Sequence, residues 1–178
     1  MPGSATTTKA QLSLPRGIRN NNPGNIRHSL AAWLGKATEQ KDKSFVSFKT
    51  PEYGIRAMAR ILINYQKRYK LKTIEKMISR WAPPNENNTA AYVMVVSRSI
   101  GVTKDTDINL TTDRQRFTRL LKAIIQHENG NPKPYGKQEW YSDSILIKGI
   151  TMAINPDPTK MEDRSLKHAN TVENFRNT

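Results

Sequence analysis

The chain has 178 residues, 36% of them hydrophobic and 25% charged, with no cysteine and a formal net charge of +14. That length supports one hydrophobic core and makes a second full domain an unfavourable reading, while the composition excludes a disordered chain. Without cysteine there are no disulfides and no thiolate chemistry, and three scattered histidines have no ligand spacing, so neither a metal nor a cofactor is expected.

Residues 1–15 open with a small, polar stretch and read as a flexible segment. The stretch lacks the charged start and apolar core of a secretory signal. Apolar runs such as Tyr92 to Val96 are too short to span a bilayer. Residues 16–35 hold Arg16-Gly17-Ile18-Arg19-Asn20-Asn21-Asn22-Pro23-Gly24-Asn25-Ile26-Arg27, then Trp33-Leu34-Gly35. Asn, Pro and Gly at this density specify turns and left-handed backbone rather than helix. Residues 42–49 carry Phe45, Val46 and Phe48, which predicts a short strand, half of a small β-hairpin with residues near Thr38.

From Pro51 the apolar period becomes helical. Ile55, Met58, Ala59, Leu62, Tyr65 and Tyr69 share a face, which predicts an amphipathic helix over 52–70. Thr73 is placed to cap a short helix bearing Ile74, Met77, Ile78 and Trp81, stopped at Ala82-Pro83-Pro84. Thr89 is expected to cap the next helix, with Tyr92, Val93 and Val96 inward and Gly101 beyond its end. Thr112 and Asp113 open a helix whose stripe is Phe117, Leu120, Leu121, Ile124 and Ile125, ended by Gly130. Ser142 and Asp143 open a last helix, ended by Asn155-Pro156. The fold class is mainly α (α+β): one helical domain over 16–156 with a small β-hairpin, followed by a tail or wrap over 157–178.

A net charge of +14 directs the chain towards polyanions: an anionic envelope surface, an anionic membrane or nucleic acid. There is no zinc-finger spacing, no RNP-type aromatic motif and no basic region followed by heptads, so nucleic-acid binding rests on charge alone.

Glu128 breaks the pattern of its own helix. It lies four residues after Ile124 and three after Ile125, in line with the buried stripe and at the C-terminal end. Partial desolvation and the negative end of the helix dipole both favour the protonated carboxyl there. A glycosidase general acid needs that property, because it must donate a proton to the leaving oxygen near neutrality. The alternative is a helix-end glutamate turned to solvent, and spacing alone leaves both open.

The sequence around it carries a resemblance. Ala123-Ile124-Ile125-Gln126-His127-Glu128-Asn129-Gly130 resembles the catalytic helix of lysozyme-superfamily enzymes, in which an apolar helix ends in a glutamate, a small polar residue and a glycine. Asn21-Asn22-Pro23-Gly24-Asn25-Ile26-Arg27 with Trp33-Leu34-Gly35, Asp42, Phe45, Phe48 and Gly54 is similar to the segment that follows that helix in bacterial glucosaminidases. Trp81-Ala82-Pro83-Pro84 through Tyr92 is similar to their tyrosine-containing segment, with Trp81 where a tyrosine stands in the family. The Asn-Pro-Gly-Asn-Ile block also resembles phage virion and endolysin proteins. The matches cover about residues 16–136, but in a different order: the Asn-Gly turn comes first and the glutamate helix about a hundred residues later. This implies a circular permutation of a lysozyme-like fold. It requires Glu128 to lie beside Asn22 and Asn25.

The resemblance implies a peptidoglycan glycosidase, muramidase or lytic transglycosylase, with Glu128 protonating the glycosidic oxygen. Asp42 is a tentative second carboxylate and Glu86 the alternative to Glu128. Glu86 precedes a helix N-terminus, where the dipole favours an ionised carboxylate and suits a base or a loop residue better than an acid. Asn22 and Asn25 are candidates to bind N-acetyl groups, and Trp33 and Trp81 to stack on sugar rings, although turn formation and core packing are the ordinary uses of these residues. Tyr92 is either a core tyrosine or a cleft residue near Glu128. His127 points about 100° from Glu128 on a helix and is given no catalytic part. The expected partners are peptidoglycan strands and the anionic envelope, and the chain is expected to be monomeric. Its expected location is the host cytoplasm before holin-dependent release, or the virion. The reading from another class is a catalytically inactive basic virion or nucleic-acid-binding protein on the same scaffold.

Overall fold

The computed structural model describes residues 13–157. These residues contain helices α1 (Arg16–Arg19), α2 (Pro51–Tyr69), α3 (Ile74–Trp81), α4 (Thr89–Ile100), α5 (Arg114–Asn129) and α6 (Asp143–Ile154), with one 3-10 turn at Lys133–Tyr135. The expectations for residues 1–12 and 158–178 fall outside the described residues.

Helix α2 runs through the centre. Its expected stripe is buried from Ile55 to Tyr65, with Tyr69 only partly covered, and Ala57, Ile61 and Ile63 on its other side are buried too. A helix apolar on more than one face must be covered on more than one face. Helix α6 supplies the most extensive cover and α3 and α5 the rest, while α4 packs on α3 and α5. The α2–α6 contact is close because Gly149 lacks a Cβ. One placed there would lie 2.6 Å from Ile55 Cγ2 and 3.0 Å from the Glu52 carbonyl oxygen.

The helix signals are those the sequence carries. Thr73 accepts from the Lys76 amide, Asp113 from Arg116 and Ser142 from Ile145, each satisfying an amide left over by the first turn. At the start of α4 the cap is Asn88, which accepts from Ala91, and not Thr89. The Thr89 hydroxyl instead turns back to donate to the Ala82 carbonyl at 2.5 Å. That bond ties the start of α4 to the end of α3.

The N-terminal third departs from expectation in two ways. Residues 16–19 form one helical turn inside a segment read as wholly non-helical. The expected strand is not a regular strand: Phe45 bridges Arg27 and Phe48 bridges Lys36, each as an isolated antiparallel pair. The Gln40 side chain explains the interruption. It donates to the Ala37 and Ser47 carbonyls and accepts from the Ser47 amide, taking the place of ladder bonds between the two arms.

Candidate active site

The Asn-Pro-Gly-Asn block is a compact turn built on two left-handed residues, Asn21 (φ 51°) and Asn25 (φ 50°). Asparagine tolerates that backbone region better than other residues with a Cβ. The Asn22 side chain donates to the Ile26 and Val46 carbonyls and accepts from the Ile26 amide. It is fully buried, which removes it from the expected role on an N-acetyl group. Gly24 packs against Met58 and the Trp81 indole, leaving no room for a side chain.

This turn docks on the last turn of α5. Asn129 donates at 2.8 Å to the Pro23 carbonyl and at 2.8 Å to the Ile125 carbonyl of its own helix. On the far side of the helix end, buried Trp140 donates from Nε1 to the Gly130 carbonyl at 2.8 Å. The end of α5 is therefore held from both sides, and Glu128 stands in that held turn, half-buried.

Three segments converge on its carboxyl group. Tyr92 of α4 donates from its hydroxyl to Oε1 at 3.0 Å, and Trp81 of α3 donates from Nε1 to Oε1 at 3.4 Å. Asn25 of the turn donates from Nδ2 to Oε2 at 3.4 Å. Of the residues singled out in the sequence, the structure thus gathers Glu128, Asn25, Trp81 and Tyr92 within hydrogen-bond reach. Two of the three bonds are long for an N–H donor, so the carboxyl is oriented without being tightly clamped. Of these three contacts, Oε1 takes the two from the helices and Oε2 takes the one from the turn. No cation is among these three donors.

The remaining candidates fall elsewhere. Trp33 is buried in the core and Trp81 is fully buried, so neither offers a face to a sugar; Trp81 reaches the site through its N–H instead. Glu86 lies exposed on the turn between α3 and α4, a turn in which the Asn87 side chain donates to the Pro83 carbonyl and the Asn88 side chain accepts from the Ala91 amide. Asp42 has both oxygens engaged. Arg16 donates to them from Nε at 2.5 Å and from Nη2 at 2.6 Å, and Asn20 and the amides of Ser44 and Phe45 add to the set. The Arg16 guanidinium, with Asn20 and those amides, holds the Asp42 carboxyl far below the usual carboxylate range. A carboxylate so engaged locks a turn and has no lone pair directed at a water for chemistry, so the tentative second-carboxylate role is withdrawn.

Sequence reasoning missed two residues of the site. Asn129 was read only as the small polar residue after the glutamate, yet its side chain docks the turn. His127 was set aside on helical geometry, yet its ring stacks on Tyr92 with centroids 3.6 Å apart and planes 24° apart. The 100° offset turns His127 away from Glu128 and onto the tyrosine that touches Glu128. Among the described residues no group of three or more histidine or acidic side chains is placed to hold a metal, and no helix is long and apolar enough to cross a membrane.

No family profile matches the sequence. The chain is 42% identical over 124 residues to Protein P5 of Pseudoalteromonas phage PM2, an alignment covering 67% of this chain and 75% of the phage protein. The chain belongs to the Protein P5 family. Membership associates it with a phage protein; the name Protein P5 states no activity.

Proposed function

We propose that this member of the Protein P5 family is a lysozyme-like peptidoglycan glycosidase, with Glu128 as the proton donor to the glycosidic oxygen. One observation carries the reading. The turn and the helix that the resemblance pairs are separated by about a hundred residues in sequence, and they meet at the Asn25–Glu128 contact of 3.4 Å. A permuted lysozyme-like arrangement requires that meeting. Tyr92 and Trp81 add a second reason, since both hold a carboxyl in a partly covered site, as proton transfer to a sugar oxygen needs. The positive charge suits an anionic cell wall, with binding that weakens as salt rises. Phage membership suits a protein carried in the virion or released at lysis.

The test is mass spectrometry of fragments released from purified peptidoglycan by the wild type and by Glu128→Gln. Reducing-end sugars from the wild type alone identify a hydrolase that needs Glu128, and 1,6-anhydro sugars from the wild type alone identify a lytic transglycosylase. No fragments from the wild type would sink the enzyme reading. The charge of +14 favours one alternative, a catalytically inactive basic virion protein. It predicts retention of duplex DNA with a steep loss of affinity between low and moderate salt.

A further inference from the structure

A glycan-cleaving site must hold the sugars next to the scissile bond, and pyranose rings present an apolar C–H face that stacks on flat π surfaces. The two tryptophans named above are buried and cannot serve. His127 can. It is exposed, it adjoins Glu128 in the last turn of α5, and Tyr92 covers one face of its ring at 3.6 Å. With Tyr92 on one face, the side chain is still exposed to solvent. The electron-rich face of an aromatic ring attracts the positive edge of C–H groups. Because the imidazole is already stacked on a buried tyrosine, little side-chain freedom is lost when a ligand lands on it, and preorganisation of this kind favours binding.

Resting on the glycosidase reading, we infer that His127 is the sugar-stacking platform of this site, and that it contacts the saccharide next to the bond protonated by Glu128. The stack has a directional consequence. The glycan runs across the end of α5 from His127 past Glu128 towards Asn25, whose amide already points at the carboxyl. Tyr92 joins the two functions, with its ring supporting the platform and its hydroxyl orienting the acid.

The experiment is calorimetric titration of a β-1,4-linked N-acetylglucosamine tetramer into full-length Glu128→Gln, which binds without turnover. The same titration is made into that variant carrying His127→Ala or His127→Phe. Wild-type and His127 single variants are assayed in parallel on purified peptidoglycan. The expected result is a loss of affinity of about tenfold for His127→Ala and near-full retention for His127→Phe. In the single variants, KM rises for the alanine and kcat changes little. Equal binding by Glu128→Gln with and without His127→Ala would overturn the platform while leaving the glycosidase reading intact. So would a fall in kcat at unchanged KM, which would make His127 a support for Tyr92 only. Absence of both binding and cleavage would overturn the glycosidase reading and the platform with it. His127 is exposed, so helical circular dichroism of each variant should match its parent.

Discussion

Two carboxylates of this chain sit in loop-and-helix junctions, and they are held in opposite ways. Asp42 is gripped by a guanidinium at both oxygens, a side-chain amide and two backbone amides. Glu128 is touched by a phenol, an indole and an amide, two of them at 3.4 Å. The first arrangement fixes charge and geometry together and suits a turn that must not move. The second orients a half-buried carboxyl through contacts from three separate segments. The difference shows that two carboxylates in promising sequence contexts are told apart by their surroundings: Asp42 is locked by a bidentate guanidinium and backbone amides, and Glu128 is where a turn and two helices converge.

The widest separation between the two should appear in activity. Glu128→Gln is expected to lower peptidoglycan cleavage on the order of 10³-fold with an unchanged melting temperature, the scale of a lost general acid. Asp42→Asn should retain activity per folded molecule. A cleavage defect in Asp42→Asn without a stability defect would break the comparison. Next in size is Gly17→Ala. A Cβ there would lie 2.5 Å from Asn129 Oδ1, 2.7 Å from Asn25 Oδ1 and 2.9 Å from the Asn22 carbonyl. Asn129 cannot swing away without giving up its bonds to Pro23 and Ile125. The substitution should cost about 3 kcal/mol in denaturant unfolding and reduce cleavage as well. Full activity at full stability would mean that the turn adapts.

Tyr92→Phe keeps the ring and its stack on His127 but removes the hydroxyl donor to Oε1. A bond to a charged or developing charge is worth about 2 kcal/mol, so kcat should fall about thirtyfold at nearly constant melting temperature. The smallest effect is on the lock itself. Asp42 has its folded value lowered chiefly by Arg16, so it contributes stability that is full above the unfolded carboxylate value of about 3.9. That stability is lost as pH falls from there towards the folded value. Asp42→Asn should lower stability at neutral pH by about 1–2 kcal/mol, modest because Arg16 is half exposed. It should also flatten the acid limb of the pH–stability curve below about pH 4, measured by chemical denaturation across the range.

Helices α2 to α6 were legible because their signals are local: a stripe of apolar residues at 3.6-residue spacing, with capping, glycine or proline residues at the ends, whereas the single turn of α1 carries no such stripe. Even the error at Thr89 displaced the cap by one residue. The turn over 21–25 was legible for the same reason, since Asn21 and Asn25 are asparagines in left-handed backbone. The broken strand was not legible, because the Gln40 side chain supplies bonds that no pattern of apolar residues announces. The site was half legible. Glu128 stood out as a carboxylate in line with an apolar stripe, and the family resemblance named Asn25, Trp81 and Tyr92. The burial of Asn22 and Trp33 and the capture of Asp42 by Arg16 depend on contacts 24 or more residues apart in sequence, which neither composition nor period encodes. His127 was misjudged by asking only whether it faces Glu128, when its partner is on another helix.

The Asn129–Pro23 bond spans 106 residues. Ribosomes deliver the turn early and its dock late, so the half-site at residues 20–26 waits unpaired until α5 has emerged. A contact of this sequence separation slows folding. A rearranged gene that begins at Arg114, with the present ends joined through a short linker, would shorten that separation by no more than about a third and deliver the dock before the turn. Such a permutant should reach the same native site.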